Sequence, residues 1–598
     1  MIETYRQLMD LLTSRERRMF YILIGLIVVM GLFEMLSVAS ILPLMMVLRN
    51  PSIIDTNQHL AWIYTTLGFT SHQSFEIFLA AAVFFLVIFG TAFKAFTSYS
   101  IYRFTTMRGF SISSRMVNGY LTQPYTWFLN RNSAALSSTV LGEVQKVVNS
   151  SLLPAMKLIT SFVTVITLVG LLIAVRPGVA LSAAGVIGGT YAVLYLTVRQ
   201  KLARIGQQRH QLNAQRFGIV GEAFGGMKDV KLLGLEDYFT NRFRGPARQI
   251  ARNDAVSLII REVPRYVIEA IGFGGLIIFI LYLLITGDGS LGSVVPILSV
   301  YAFTAIRLFP ALQRIYTSVG HMRFSKPTLD KLHADFTFAE ANARTRPVET
   351  GPALHLTREL ALDEVHYSYP DADRPALQGL NLVVPARTTV GIVGGTGAGK
   401  TTAVDIMLGL LEPEQGRLLV DGAPITRDNR RNWQRSIGYV PQQIFLTDAS
   451  VSANVAFGIA PEAIDQAAVE RAARTSELHD LVMRELPEGY ATLVGERGVR
   501  LSGGQRQRIG IARALYHDPD VLILDEATSA LDNLTEKAVM DAVHNLGHAK
   551  TIVMIAHRLT TVRDCDTIFM LEQGQVIAMG SYDELIAHSR QFRALAGA

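Results

Sequence analysis

The sequence is poor in cysteine and in charged side chains. Cys565 is the single cysteine among 598 residues, so no disulfide can form within one chain and no cysteine-rich metal cluster is possible. Charged residues make up 18% of the chain and hydrophobic residues 49%, whereas soluble domains average about 25% charged. This shortage of charge excludes a wholly soluble or disordered protein. The length also exceeds the roughly 250–300 residues that one hydrophobic core supports, so at least two structural units are expected.

Acidic residues are scarce in the first part of the chain. Residues 1–335 contain 31 Lys and Arg against 17 Asp and Glu, and residues 336–598 contain 25 against 33. A basic, apolar first part followed by an acidic second part is typical of a membrane domain with basic cytoplasmic loops fused to a cytoplasmic domain. The pattern does not favour a protein that binds nucleic acid, and no nucleic-acid partner is expected.

Long apolar runs are concentrated in the first part of the chain. A membrane-spanning helix needs about 20 apolar residues, and six runs approach or exceed this length: 19–48, 75–102, 151–175, 178–198, 264–286 and 291–318. Basic residues gather before the first run and in the connections 103–150 and 199–261. The positive-inside rule therefore places both termini and these two long connections in the cytoplasm. We predict a six-span transmembrane domain over residues 1–335 and a linker over 336–353.

Basic side chains inside these runs are candidates for substrate binding, because a charge at membrane depth is costly and usually faces protein or a wet cavity. Arg307 and Arg314 lie seven residues apart, which puts them on one face of a helix. One interpretation is a basic cavity that receives an anionic head group. The other is snorkelling, or pairing with Glu34 and Glu269. The candidate substrate ligands are Lys94, Arg265, Arg307 and Arg314.

Residues 354–598 change to short β-type runs that alternate with helical stretches, which indicates an α/β domain. A predicted strand at 390–393 leads into a match to the phosphate-binding pattern G-x-x-x-x-G-K-S/T. Its residues, with the following threonine, are Gly394, Gly395, Thr396, Gly397, Ala398, Gly399, Lys400, Thr401 and Thr402. In such a loop backbone N–H groups surround the phosphates, the lysine reaches the β- and γ-phosphates, and the hydroxyl of Thr401 ligates Mg²⁺. The sequence therefore predicts that ATP and Mg²⁺ bind here.

A second buried strand is predicted at 521–524 and ends in Asp525-Glu526. A carboxylate at the carboxyl end of a strand beside a phosphate loop is placed to hold the Mg²⁺ shell, so Asp525 is the candidate. The next acid, Glu526, is placed to polarise the water that attacks the γ-phosphate. The pair is a weak signal alone and a strong one together with the phosphate loop.

Between these motifs stands Leu501-Ser502-Gly503-Gly504-Gln505, which resembles the signature peptide of ATP-binding-cassette (ABC) proteins. The resemblance covers about residues 355–598, and it implies roles for three further side chains. Tyr369 resembles the aromatic residue that stacks on adenine. Gln442 resembles the lid-loop glutamine, a metal ligand and catalytic residue, and His557 resembles the switch histidine. In this family, Ser502, Gly503, Gly504 and Gln505 would close over nucleotide bound to a second cassette, which implies two chains. A homodimer is the economical interpretation, and pairing with a related chain is the alternative.

The order of the domains resembles that of ABC exporters, so the expected fold is an α-helical six-span transmembrane domain fused to an α/β P-loop nucleotide-binding domain. Residues 33–44 and 228–234 resemble bacterial lipid-linked oligosaccharide flippases of the protein-glycosylation pathway. This resemblance implies an anionic polyprenyl-pyrophosphate substrate, membrane lipid as a partner, and a place in the bacterial inner membrane with the nucleotide-binding domain in the cytoplasm. The main alternative is a multidrug, lipid or peptide exporter. A non-transport role, as a channel or regulatory subunit, also remains open.

Overall fold

The computed structural model describes residues 2–286, 291–344, 351–370, 372–526, 540–541, 549–556 and 558–596. The chain divides into two compact units. One unit consists of Met1–Gln123 and Asn130–Thr345, and the other consists of Pro124–Leu129 and Arg346–Ala598.

The first unit is built from helices. In chain order they are α1 Ile2–Asp10, α2 Ser14–Ala39, α3 Ile41–Arg49, α4 Ile53–Thr56, α5 Gln58–Thr66, α6 His72–Leu121, α8 Ser133–Ser138, α9 Val144–Val147, α10 Leu153–Val175, α11 Pro177–Gly225, α12 Met227–Leu233, α13 Glu236–Thr286 and α14 Leu291–Arg344. The short helix α7, Tyr125–Leu129, belongs to the second unit. Two π-helical turns, Thr139–Glu143 and Val148–Leu152, join α8, α9 and α10 into one continuous helical segment.

Among the described residues, four helical segments are long and apolar enough to cross a membrane. They are Ser14–Arg49, His72–Leu121, Ala135–Val175 and Pro177–Gly225, which contain the first four predicted runs. The runs predicted at 264–286 and 291–318 fall within α13 and α14. Neither helix is among those four segments, so the count of six spans stays a prediction.

The long helices extend well beyond the predicted spans. The 50 residues of α6 correspond to about 75 Å at 1.5 Å per residue, more than twice the ~30 Å hydrocarbon core of a bilayer. Both long connections contain a short helix. Helix α6 ends at Leu121 before the short α7, and α11 ends at Gly225 before the short α12. Each short helix thus lies between longer helices along the chain.

The last helix of the first unit extends to Arg344, nine residues into the segment predicted as a linker. The apolar face of α14 continues past residue 335, since Phe336 and Ala339 are buried. Arg115 of α6 also forms an ion pair with Glu340, with 2.5 Å between the nitrogen and oxygen atoms. These contacts explain why the helix does not end where the composition changes.

Small residues allow the helices of this unit to approach closely. A Cβ atom added at Gly206 of α11 would lie 2.2 Å from the carbonyl oxygen of Phe324 in α14, and one added at Gly90 of α6 would lie 2.9 Å from the hydroxyl of Ser37 in α2. The crossing at Gly90 lies within a predicted span, and small residues at such crossings are typical of helix packing in membranes, where close van der Waals contact replaces hydrophobic burial.

The second unit contains two sheets. Its strands are β1 Glu359–Tyr367, β2 Leu377–Pro385, β3 Thr389–Gly394, β4 Gln415–Val420, β5 Ala423–Pro424, β6 Ile437–Val440, β7 Val521–Asp525, β8 Thr551–Ile555, β9 Thr567–Glu572 and β10 Gln575–Gly580. The smaller sheet is antiparallel, with the order β2-β1-β4-β5, and the larger has the order β10-β9-β3-β8-β7-β6. In the larger sheet β9, β3, β8, β7 and β6 run parallel, which is the topology expected of a P-loop domain.

Besides α7, the described α-helices of the second unit are α15 Lys400–Met407, α16 Arg430–Gln434, α17 Val451–Val455, α18 Gln466–Thr475, α19 His479–Glu485, α20 Gly503–Leu515, α21 Tyr582–His588 and α22 Arg590–Ala596. All five residues of β7 and of β8 are buried, as expected for central parallel strands covered on both faces. Trp433 is fully buried against α15, and its indole N–H donates to the carbonyl oxygen of Met407 at 2.7 Å.

Candidate functional site

The predicted ATP-binding motifs meet at one edge of the larger sheet. The phosphate-binding loop follows β3, Gln442 follows β6 by two residues, and Asp525 is the last residue of β7. Because β3, β8, β7 and β6 are adjacent and parallel, their carboxyl ends lie side by side. Ligands of open α/β sheets bind at this edge. His557 follows β8 by two residues in the sequence but lies outside the described residues.

The phosphate-binding loop needs its glycines for steric reasons. Gly399 has φ of 99°, in the left-handed region that favours glycine, and a Cβ atom there would lie 2.8 Å from the carbonyl oxygen of Ala376. A Cβ atom at Gly394 would lie 2.3 Å from the carbonyl oxygen of Leu571. The loop can therefore follow this path only without a side chain at these two positions, and it leads directly into α15, which begins at Lys400.

The ammonium group of Lys400 lies inside the loop. Its Nζ donates to the carbonyl oxygens of Gly394 at 2.8 Å and Gly395 at 3.0 Å. Burial lowers the pKa of Lys400, and the nearby carboxylates of Glu526 and Asp525 oppose that shift. A buried cation whose hydrogen bonds go to carbonyl groups can exchange them for phosphate oxygens, which bind it more strongly.

The other loop residues divide by exposure. The exposed ones are Gly395, Thr396, Gly397 and Thr401, the buried ones are Ala398 and Thr402, and Gly394 and Gly399 are intermediate. The hydroxyl groups of Thr402 and the half-buried Tyr369 are 3.2 Å apart. The ring of Tyr369 lies 5.2 Å from that of Tyr367 and perpendicular to it. The predicted adenine-stacking residue is thus anchored to the helix that follows the loop.

Gln442 and Glu526 are brought together across 84 sequence positions. The amide nitrogen Nε2 of Gln442 donates to Oε2 of Glu526 at 2.8 Å, which leaves the amide oxygen as the atom of Gln442 that can ligate a cation. Glu526 has φ of 51°, a left-handed conformation that is uncommon for a residue other than glycine. Strained backbone of this kind is often found at functional sites.

The sequence analysis missed Asp405, which lies on α15 five residues after Lys400. Asp405 is 8% exposed. Burial, with a smaller contribution from the negative charge of Asp525, raises the pKa of Asp405 to about 6. The signal that could have found it is an acid in the buried, otherwise apolar part of the helix that follows a phosphate-binding loop.

The oxygen-rich donor set at this edge fits Mg²⁺. The hydroxyl of Thr401, the amide oxygen of Gln442 and the carboxylate of Asp525 are hard oxygen ligands, which Mg²⁺ prefers together with phosphate oxygens. Within the part of the chain that the structure describes, no group of three His, Cys, Asp or Glu side chains is arranged to hold a metal ion. A magnesium ion at this edge would therefore depend on the nucleotide for part of its coordination.

The predicted signature peptide begins a helix. Ser502 is the exposed N-cap of α20, and its hydroxyl accepts from the backbone N–H of Gln505 at 3.2 Å. The side chain of Gln505 in turn accepts from the backbone N–H of Ser502 at 2.8 Å. Gly503 and Gly504 form the first turn of the helix, where backbone N–H groups point outward. This end of α20 can therefore bind an anion, as the resemblance implies.

Two of the four candidate substrate ligands pair with carboxylates. Lys94 of α6 donates to Oε1 of Glu34 in α2, and Glu34 is fully buried and also accepts from the hydroxyl of Thr164 at 2.7 Å. Nε of Arg265 donates to Oε1 of Glu269 at 2.7 Å within α13. These are the pairings that the sequence left open as the alternative to a basic cavity.

The other two candidate substrate ligands, Arg307 and Arg314, have no such carboxylate partner among the described residues. Arg307 is half-buried and Arg314 is exposed, both on α14. Neither forms an ion pair with any of the described residues of the chain. Their spacing puts them on the same face of the helix, as predicted.

Comparison with known proteins agrees with this arrangement of domains and motifs. Residues 377–529 match the ABC transporter family, and residues 52–306 match the ABC transporter transmembrane region. The ATP-dependent lipid A-core flippase of Cupriavidus metallidurans is 32% identical over 485 residues, which cover 80% of each chain. The flippase of the same name from Saccharophagus degradans is 30% identical over 478 residues, covering 78% of this chain and 77% of that protein.

A solved structure shows the same fold. The structure of a bacterial Atm1-family ABC exporter with ATP bound matches 97% of this chain and 98% of its own, with a TM-score of 0.77 and 23% sequence identity. Fold and motifs together define an ATP-hydrolysing membrane transporter. The chain belongs to the ABC transporter family and is an ABC exporter half-transporter, which confirms the predicted class.

Proposed function

We propose that two copies of this chain form a flippase that uses ATP to move an anionic lipid-linked oligosaccharide from the cytoplasmic to the outer leaflet of a bacterial inner membrane. A polyprenyl-pyrophosphate sugar is the proposed substrate. The observation that carries the proposal is the pair Arg307 and Arg314, two cations on one face of α14 that have no carboxylate partner among the described residues. Cations at membrane depth are expensive and usually serve a function.

The chemistry of the arginines fits a pyrophosphate. A guanidinium group binds phosphate oxygens through two parallel hydrogen bonds, and it stays charged at every physiological pH. Lys94 and Arg265 are proposed as further ligands, but each would first exchange its carboxylate for the head group. We therefore expect Arg307 and Arg314 to make the initial contact.

The nucleotide-binding unit supplies the energy. Lys400 and the loop 394–402 would hold the phosphates, Tyr369 would stack on the adenine, and Asp525 with Thr401 and Gln442 would hold Mg²⁺, which neutralises charge on the phosphates when bound. Glu526 is proposed as the base that orients water, and its hydrogen bond with Gln442 places it at this edge. His557 is proposed as the second polar group beside the γ-phosphate.

The signature helix is proposed to act on the other subunit. One chain has one phosphate-binding loop and one signature peptide, and in the ABC family each signature completes the site of the opposite cassette. Residues 502–505 of each subunit would therefore close over nucleotide held by its partner, so two copies make two sites. The relatives support the substrate class, because both are named as flippases of a lipid.

The proposal is tested in proteoliposomes with purified protein. ATPase activity and leaflet exchange are measured with a polyprenyl-pyrophosphate oligosaccharide, with simple phospholipids and with apolar drugs. We expect stimulation by the pyrophosphate lipid, and we expect Arg307→Ala/Arg314→Ala to abolish flipping while basal ATP hydrolysis persists. The matched control is Arg323→Ala, because Arg323 is an exposed arginine on the same helix beyond the predicted span.

The outcomes separate the candidate functions. Flipping that survives in the double arginine variant would refute the charged site. Stimulation by drugs or peptides that is indifferent to both arginines would instead identify an exporter of apolar or peptidic cargo.

A further inference from the structure

Pro264 lies inside α13 and removes one backbone donor from that helix. Proline has no N–H group, so the carbonyl oxygen of Ile260, four residues earlier, has no helical donor, and the ring also crowds the preceding turn. A buried carbonyl group without a hydrogen-bond donor is costly, and breaks at proline persist in packed helices where neighbouring side chains restore the hydrogen bonds. Pro264 is buried and opens the run predicted as a span at 264–286.

Side chains of helix α14 donate to two carbonyl groups of this turn, and one of them is the carbonyl that Pro264 leaves without a helical donor. The hydroxyl of Tyr316 donates to the carbonyl oxygen of Ile260 at 3.2 Å, and the side-chain amide of Gln313 donates to that of Arg261 at 3.1 Å. Tyr191 of α11 completes the cluster, because its hydroxyl donates to Oε1 of Gln313 at 3.3 Å and its ring lies 5.6 Å from that of Tyr316. We call Tyr191, Gln313 and Tyr316 the clamp.

The clamp lies next to the proposed head-group site. Arg265 directly follows Pro264, and Arg314 directly follows Gln313. Helices α13 and α14 run antiparallel, because farther along them Gly272 faces Phe309, and a Cβ atom at Gly272 would lie 2.2 Å from that ring. Along α13, Arg265 lies between Arg261, which the clamp contacts, and Gly272. Along α14, Arg314 lies between Phe309 and Tyr316. The two arginines therefore lie at similar heights along the helix pair.

We propose that the clamp positions Arg265 relative to Arg314 and so sets the geometry of the anionic head-group site, an inference that rests on the proposed function. Two hydrogen bonds to consecutive carbonyl groups fix the rotation and the height of the turn of α13 that carries Arg265. Without the bond from Tyr316 the carbonyl group of Ile260 would lack a donor, and the turn would shift to find another. The clamp residues act through the arginines and are positioning residues.

The first test is Tyr316→Phe, which removes the donor and keeps the ring. In proteoliposomes with polyprenyl-pyrophosphate lipid we expect the apparent KM for lipid-stimulated ATP hydrolysis to rise about five-fold, the effect of one net hydrogen bond. The value of kcat should change by less than about two-fold, since such a change removes binding rather than transition-state stabilisation. Tyr99→Phe is the control, because Tyr99 is an exposed tyrosine of α6.

The decisive test combines this variant with Pro264→Ala. Alanine restores the N–H group at position 264, so the carbonyl oxygen of Ile260 regains a helical donor and no longer depends on Tyr316. Tyr316→Phe should then raise the KM by less than two-fold. An equal rise in the proline and alanine backgrounds would overturn the clamp.

A second readout separates the clamp from the proposed function. The wild type, Tyr316→Phe, Pro264→Ala and the double variant are compared by thermal unfolding in detergent. Tyr316→Phe should lower the unfolding midpoint when residue 264 is proline, and should lower it much less when residue 264 is alanine. Absence of lipid stimulation in the wild type would refute the proposed function, while the unfolding cycle would still decide whether the clamp exists. If Tyr316→Phe fails to fold, Gln313→Met removes the other donor and should raise the KM in the same way.

Discussion

Replacing Lys94 by Met leaves Glu34 as a carboxylate without a cation, at a position where none of its surface is exposed. Removing one partner of a buried ion pair costs about 3–5 kcal/mol, because the remaining charge stays desolvated and uncompensated. The side chain of Lys94 is 35% exposed, and the hydroxyl of Thr164 still donates to Glu34 at 2.7 Å. We therefore expect a loss at the lower end of that range, about 3 kcal/mol.

The assay is thermal unfolding in detergent of three variants. Lys94→Met should lower the unfolding midpoint by several degrees, whereas the double variant Lys94→Met/Glu34→Gln should recover most of the loss, because no unpaired charge remains and the amide can still accept from Thr164. Lys157→Met is the matched control, since the ammonium nitrogen of Lys157 in α10 lies 5.3 Å from the ring centre of Tyr102 and pairs with no carboxylate among the described residues. Equal destabilisation in the single and double variants would refute the reasoning.

The same double variant tests the proposed exchange of Lys94 from Glu34 to the head group. If Lys94 binds the pyrophosphate during transport, the stable double variant should show weaker stimulation of ATP hydrolysis by the lipid. Stimulation and flipping at wild-type levels would show that Lys94 only holds α2 and α6 together.

Three further predictions concern the nucleotide-binding unit. Glu526→Gln should stop ATP hydrolysis and keep ATP bound, and normal turnover in that variant would remove Glu526 as the base. Gly399→Ala should weaken nucleotide binding and lower the free energy of unfolding by about 1–3 kcal/mol, because of the left-handed φ and the contact with Ala376. Gly395→Ala is the control in the unfolding measurements. It should stay near wild type, because a Cβ atom at Gly395 meets no atom within 4 Å. Asp405 has a pKa raised to about 6, above its value in the unfolded chain, so its contribution to stability is present below about pH 4 and is lost as the pH rises through 6. At pH 8, Asp405→Asn should therefore be more stable than the wild type by roughly 2–3 kcal/mol and unfold at a higher temperature. A difference that does not narrow as the pH falls from 7 to 5 would contradict this assignment.

Much of the nucleotide site could be predicted because its motifs are local. The strand, the glycine loop and the start of α15 are contiguous in residues 389–407, and the loop path depends on the absence of side chains at positions that the sequence shows directly. The cap of α20 is equally local, because Ser502 and Gln505 are three residues apart. Adjacent parallel strands then bring Gln442 and Asp525 to the same edge.

The sequence by itself determined that the chain has an apolar helical part and an ATP-binding α/β part, since composition, run length and short motifs do not depend on distant contacts. Only the tertiary structure decided which charged and polar groups come together. Lys94 meets Glu34 across 60 positions, Asp405 lies near Asp525 although 120 positions separate them, and Tyr316 reaches the carbonyl group that Pro264 leaves open. Each of these contacts depends on the rotation and register of packed elements, which helical periodicity alone leaves undetermined.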